Sequence, residues 1–410
     1  MRYLAAFLAA LLLVVVAIPV AHGYVVNSDY VATIVGATTD GSLIYAFGAD
    51  DQGGAIFVFD AFKLTTVYHL TDAAWIYDAQ YYNGYLYVVG KNDVVAMINV
   101  GNWQVSRQVD VGYTPLAIEK IGDQFYVTGY KFNESTGRYD TYMSIFDLNL
   151  NLADEKVLYI YDYGGMVPLD IAWNGTHVAI VGYTKDAYTD KYYPVIAYWD
   201  PSTGNYTYTI FDNIVGYGTS VDVCDGYFVF AVGPKILFND TFYDIGYNVT
   251  DVACLNGLIW FAYNEDGLVT GAANTIVHVG YINTSDGSIT DVVAGYGRVY
   301  VYGDPVKYGN SVLFGGSAYC PECMGSYPST AALFLMQPLT KVVEVRTTTV
   351  TTTVTTTTTV YYWEVETETE TVTETATPAP TGWEVTDVIL IAVVALLLTI
   401  AVYVLLTRRR

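Results

Sequence analysis

LDIAWNGTHVAIVGYTKDAYTDKYYPVIAYWDPSTGNYTYTIF, residues Leu169–Phe211, decides the fold. Short apolar and alternating runs, the pattern of β-strands, are separated by turn residues. The stretch resolves into an inner strand Leu169–Trp173, an Asn174-Gly175 turn, a second strand His177–Gly182, a third strand Pro194–Trp199, a turn Pro201–Gly204 and an outer strand Tyr206–Phe211. Its second strand, HVAIVG, recurs along the chain. SLIYAFG ends at Gly48, YLYVVG at Gly90, QFYVTG at Gly129, YFVFAVG at Gly233 and SVLFG at Gly315, while LIWFAYN keeps the pattern near Tyr263 without the glycine. The spacings are 42, 39, 53, 51, 30 and 52 residues, about 44 on average. That is the length of a four-stranded propeller blade. A sheet of this size cannot bury both faces alone, and stacking around an axis solves the problem.

The expected fold is therefore all-β, a β-propeller of about seven four-stranded blades filling residues 24–345. The blades fall at 24–70, 71–112, 113–160, 161–211, 212–247, 248–298 and 299–345. Six or eight blades, or a pair of sandwiches, are the alternatives. Residues 24–35 are candidates for a strand that closes the ring on the last blade.

The two ends of the chain read differently. Residues 1–23 have the parts of a secretory signal: Arg2, an apolar run Leu4–Val20, and small residues at Ala21 and Gly23 that place cleavage before Tyr24. An uncleaved N-terminal helix is the alternative. Residues 346–386 form a Thr/Glu-rich stalk, with eleven threonines in 347–360. Such a composition makes no compact core and favours extended backbone. Residues 387–407 contain the uncharged run Val388–Leu406, the length of a transmembrane helix, and 408–410 are a basic cytoplasmic tail of three arginines. This places the ectodomain outside the cell, on a single-pass membrane anchor.

Between the leader and the terminal arginines, 14 Lys+Arg stand against 41 Asp+Glu, a net charge of −27. That charge repels nucleic acid. It suits a solvated acidic surface, a basic partner or weak cation binding. An aspartate recurs just before the turn into the repeated strand: Asp78, Asp170, Asp222 and Asp251, with Ala117 in the corresponding place of the third unit. Carboxylates converging on a channel bind hard cations such as Ca²⁺. Aspartates beside turns also hydrogen-bond backbone amides, which in a propeller would tie one blade to the next. No other cofactor is implied.

Cys224 and Cys254 occupy similar places in successive blades and form a candidate disulfide. Cys320-Pro-Glu-Cys323 fits a small disulfide loop, half a metal site or a redox pair. Six N-x-Ser/Thr sequons, at Asn133, Asn174, Asn205, Asn239, Asn248 and Asn283, are candidate N-glycosylation sites. Zinc-protease, nucleophile-elbow, P-loop and dinucleotide fingerprints do not occur. His177 and His278 lie in strand-like runs, where packing is the default. Trp75, Tyr77, Tyr81, Tyr82, Trp103 and Trp173 are candidates for sugar stacking or for filling between blades.

The sequence of segments, from signal through sheet repeats and Thr-rich stalk to a terminal span, resembles the membrane-anchored propeller-like surface proteins of archaea. The resemblance implies surface binding or envelope architecture and carries over no individual residue. The expected function is non-enzymatic binding, adhesion or envelope architecture at the cell surface, toward glycans or other surface proteins. A carbohydrate-active hydrolase, which needs only two carboxylates and an aromatic cleft, and a solute-capture receptor are the alternatives.

Overall fold

The computed structural model describes residues 20–25, 32–60, 63–269, 272–297, 299–309, 311–319 and 329–337. They form seven four-stranded antiparallel sheets. Six sheets are built from consecutive strands, at 32–70, 76–110, 114–158, 167–210, 218–244 and 249–297. The seventh takes three strands from 299–337 and its outer strand, Val20–Val25, from the N-terminus. The blade boundaries agree with the repeat. The closing strand lies earlier than residues 24–35: Val20–Val25 pairs with Ser329–Gln337, and Ala32–Thr39 is the inner strand of blade one.

A separate apolar cluster fills each blade-to-blade interface among the described residues. Phe47 and Ile56 of blade one meet Leu86 and Val88 of blade two. Leu313 and Val306 of blade seven meet Ile34 and Phe57 of blade one, so the ring closes through its core as well as its backbone. Every sheet is thus buried on both faces, which explains the near-continuous apolar runs of the middle strands.

The repeated glycine has a specific cause. Each inner strand carries a β-bulge, at Ile34/Gly36, Ile76/Asp78, Pro115/Ala117, Pro168/Asp170, Gly218/Ser220, Val249/Asp251 and Val301/Gly303. The glycine of the second strand sits opposite the bulge, as Gly48 opposite Ile34 and Gly182 opposite Pro168. A bulge kinks the inner strand toward its neighbour. A Cβ on Gly129 would come within 2.1 Å of the Thr114 carbonyl oxygen, and one on Gly182 within 2.1 Å of that of Val167. In blade five the roles reverse: Gly218 on the inner strand faces Val232, and Gly233 belongs to the next turn.

Turns joining inner to second and third to outer strands lie at one end of the ring, here the turn face. The opposite end, the crossover face, carries the second-to-third turns and the passages between blades. Asn83-Gly84 and Asn256-Gly257 have positive φ at both residues, the geometry of a tight hairpin that the twist of paired strands favours.

Candidate functional sites: the axial channel and a tyrosine platform

The bulge orders the inner strands into two rungs of side chains facing the axis. The rung at the bulge contains Asp78, Asp170, Ser220 and Asp251. Two residues further along stand Thr38, Gln80, Glu119 and Asp222. The four aspartates therefore do not form one ring. Asp222 sits a rung closer to the turn face, and Ser220 occupies the place equivalent to Asp170.

Among the described residues, side chains of both rungs tie neighbouring blades together at four of the seven interfaces. At the bulge rung, Asp78 Oδ2 accepts the Ile118 N–H at 2.7 Å and Asp170 Oδ2 accepts the Val221 N–H at 2.7 Å. Ser220 Oγ donates to Asp251 Oδ1 at 2.5 Å. At the second rung, Thr38 Oγ1 accepts the Tyr81 N–H at 3.2 Å, Gln80 Oε1 that of Lys120 at 2.8 Å, and Asp222 Oδ2 that of Cys254 at 2.6 Å. The inner strands have no backbone partner on the axis side, so these side chains satisfy amides that would otherwise face the channel unpaired. The blade-tying role expected for the aspartates is what the geometry displays. Among the described residues, no group of three or more His, Cys, Asp or Glu side chains is arranged to hold a metal ion.

Residues from all seven inner strands enclose a cavity of about 420 Å³ toward the turn face, including Gln80, Tyr81, Glu119, Asp170, Trp173 and Lys307. A second cavity of about 230 Å³ lies toward the crossover face and shares Asp78 and Asp170. Lys307 of blade seven reaches Asp222 of blade five at 2.6 Å, offsetting one of the converging charges. Glu119 accepts a hydrogen bond from Gln80 Nε2. Burial pushes its carboxyl up to about 8, with the charges of Asp170, Asp78 and Asp222 adding and the Gln80 bond opposing. Burial likewise raises Asp170 to about 7, helped by Asp78 and opposed by the Val221 and Ile171 amides. Glu119 had no equal signal in the sequence: the aspartate pattern pointed to Ala117, two residues earlier.

A different surface appears on the crossover face of blades three and four. Phe132, Tyr159, Tyr161 and Tyr188 are exposed, the last two at 66% and 100%. Tyr159 and Tyr161 stack with ring centroids 5.9 Å apart, and Phe132 packs edge-on to Tyr139 at 5.3 Å. A groove of about 440 Å³ runs among Asn133, Arg138, Tyr139, Asp140, Tyr159 and Tyr161. Arg138 Nη1 donates to the Tyr161 carbonyl at 2.6 Å and fixes the passage between the blades. Aromatic faces bordered by amide, guanidinium and carboxylate groups match the alternating apolar and hydroxyl faces of a sugar ring.

The sequence-predicted aromatics mostly fill space between blades. Trp103 lies against Tyr45 and Tyr68, and Tyr81 stacks on Tyr45 at 5.7 Å. Trp173 and Tyr81 also border the larger cavity, and Tyr77 the smaller. The platform tyrosines carry no distinguishing signal in the sequence, because period-two patterning does not separate a residue buried between blades from one at a strand's end.

Cys224 and Cys254 form a disulfide between the inner strands of blades five and six, with Cα atoms 5.2 Å apart. Cys320 and Cys323 lie outside the described residues. His177 is exposed in the turn before its strand, a departure from the packed position expected. His278 is held between Glu265 at 3.0 Å and Asp291 at 3.1 Å. All six sequon asparagines lie at or beside turns and blade passages. Asn174, Asn205, Asn239 and Asn283 are at the turn face, Asn133 and Asn248 at the crossover face.

No protein-family model matches the sequence, and no curated protein matches it. The crystal structure of the computationally designed Ika8 protein resembles the chain with a TM-score of 0.47 and 12% identity, covering 74% of this chain and 96% of that one. The propeller assignment rests on the seven sheets and their interfaces. Among the described residues, no helix is long and apolar enough to cross a membrane; residues 387–407 lie outside them.

Proposed function

We propose that the ring is a non-enzymatic glycan-binding module held outside the cell by the C-terminal segment, in adhesion or envelope architecture. The tyrosine platform carries this reading. Exposed Tyr159 and Tyr161, in the passage between blades three and four, border a groove with polar groups at its edge. Chain exit supports it too: Gln337, the last described residue, ends its strand at the turn face, opposite the platform. The Thr/Glu-rich stretch 346–386 then links the ring to the span 387–407, with 408–410 on the cytoplasmic side. Glycans on the sequons would shield turns and sheet edges.

The test is a glycan array probed with the detergent-solubilised full chain, with Ca²⁺ and again with a chelator, and with products assayed in parallel. Saturable binding that falls about fivefold for each of Tyr159→Ala and Tyr161→Ala supports the platform. Binding indifferent to both substitutions removes it.

One observation favours a second reading. Glu119 and Asp170 share a concave cavity and both have raised pKa values, near 8 and 7. An acid kept protonated near neutral pH is what a glycosidase uses as its proton donor. Glycan turnover abolished by Glu119→Gln would establish this hydrolase reading and displace the first.

A further inference from the structure

The strand that closes the ring spans the point at which the leader would be cut. Val20–Val25 pairs without a bulge along the outer edge of blade seven, from Val20 opposite Gln337 to Val25 opposite Ala332. Small residues at Ala21 and Gly23 place the cut between Gly23 and Tyr24. That cut removes Val20, Ala21, His22 and Gly23, leaving only the Tyr24–Leu333 and Val25–Ala332 pairs. Two residues do not hold a strand in place. The edge left bare would be Phe334–Gln337, part of the apolar strand STAALFLMQ, and an exposed apolar edge invites pairing with other chains.

We infer that residues 1–23 are retained, and that the N-terminal apolar segment is a second membrane anchor whose end doubles as the clasp of the ring. Tyr3–Pro19 is 17 residues without a charge, the short end of the range that crosses a bilayer. Arg2 ahead of it favours a cytoplasmic N-terminus. Because Val20 pairs with Gln337, the chain enters and leaves the ring at one corner of blade seven. Both ends thus depart from the turn face, and closing the ring needs no excursion of either. Cleavage before Tyr24 and full closure of blade seven exclude each other. This inference does not depend on which ligand the ring takes.

Two measurements test it on the full chain. The first is the intact mass of the protein purified from membranes. A mass that includes Tyr3–Gly23 is expected; a mature chain beginning at Tyr24 overturns the inference. The second is the double variant Ala21→Pro, His22→Pro: successive N–H groups of a strand point to opposite sides, so one of the two lies toward the partner strand and is removed. A retained clasp predicts a melting temperature lower by about 5 °C or more. If both residues leave with a leader, the mature variant is identical to the parent and melts with it, which also overturns the inference. Should the variant fail to accumulate, amide exchange on the unsubstituted chain decides. Alternate amides of Ala332–Gln337 are expected to be slow, as inside a sheet, and uniformly fast exchange there contradicts the clasp.

Discussion

Gly129 and Gly182 show how a single residue can carry a fold. Each lies opposite a bulge where the partner strand's carbonyl occupies the space of a Cβ. Gly129→Ala is expected to cost on the order of 3 kcal/mol in chemical denaturation, because the clash is with backbone that cannot rotate away. Gly137→Asn should cost under about 1 kcal/mol, since nothing lies within 4 Å and asparagine tolerates its positive φ. This is also why the glycine was legible in the sequence: the requirement is steric and repeats with the blade. Glu119 is the opposite case. Its role comes from its place on the second rung, which only the bulge register reveals. Its folded pKa, about 8, lies above the ordinary 4.5, so the folded ring holds this proton more tightly than the unfolded chain does. The stability it contributes is complete below about 4.5 and is lost as pH rises to about 8. Asp170 acts in the same direction between 3.8 and about 7. The unfolding free energy should therefore fall across this window, by at most about 1.4 kcal/mol per pH unit for each group, and denaturation midpoints with it. Glu119→Gln should flatten the upper part of the slope, and an unchanged slope would assign it to other groups.

At the scale of the element, blades are joined by apolar interfaces, by the two-rung ladder of side chains and, between blades five and six, by a disulfide. Asp78→Ala leaves the Ile118 amide buried without its acceptor, an expected loss of about 1–3 kcal/mol. Blade five is the shortest, and its outer strand Thr241–Asp244 has four residues. The Cys224–Cys254 bond closes a 30-residue separation across that blade. Loop-closure entropy puts its contribution at about 3–4 kcal/mol. Reductant should lower the unfolding midpoint of the parent and leave that of a Cys224→Ala, Cys254→Ala double variant unmoved. The cysteine pairing and the blade boundaries were readable because each depends on position within a repeat. The closing strand Val20–Val25 is not legible locally, because its partner Ser329–Gln337 lies near the opposite end of the sequence and local patterning carries no information on that partner.

At the scale of the molecule, the ring separates its business ends. The chain enters and leaves at the turn face, and Tyr159, Tyr161 and Tyr188 are exposed on the crossover face. The axis itself is occupied by hydrogen bonds that hold the blades together, so the acidic residues most visible in the sequence serve the fold first. Glycan binding by the full chain, compared with Tyr159→Ala and Tyr161→Ala and assayed for product in the same wells, tests this division most directly. The account predicts saturable binding that both substitutions weaken about fivefold, with no glycan consumed. Release of a sugar product that depends on Glu119 would contradict it and move the function into the channel.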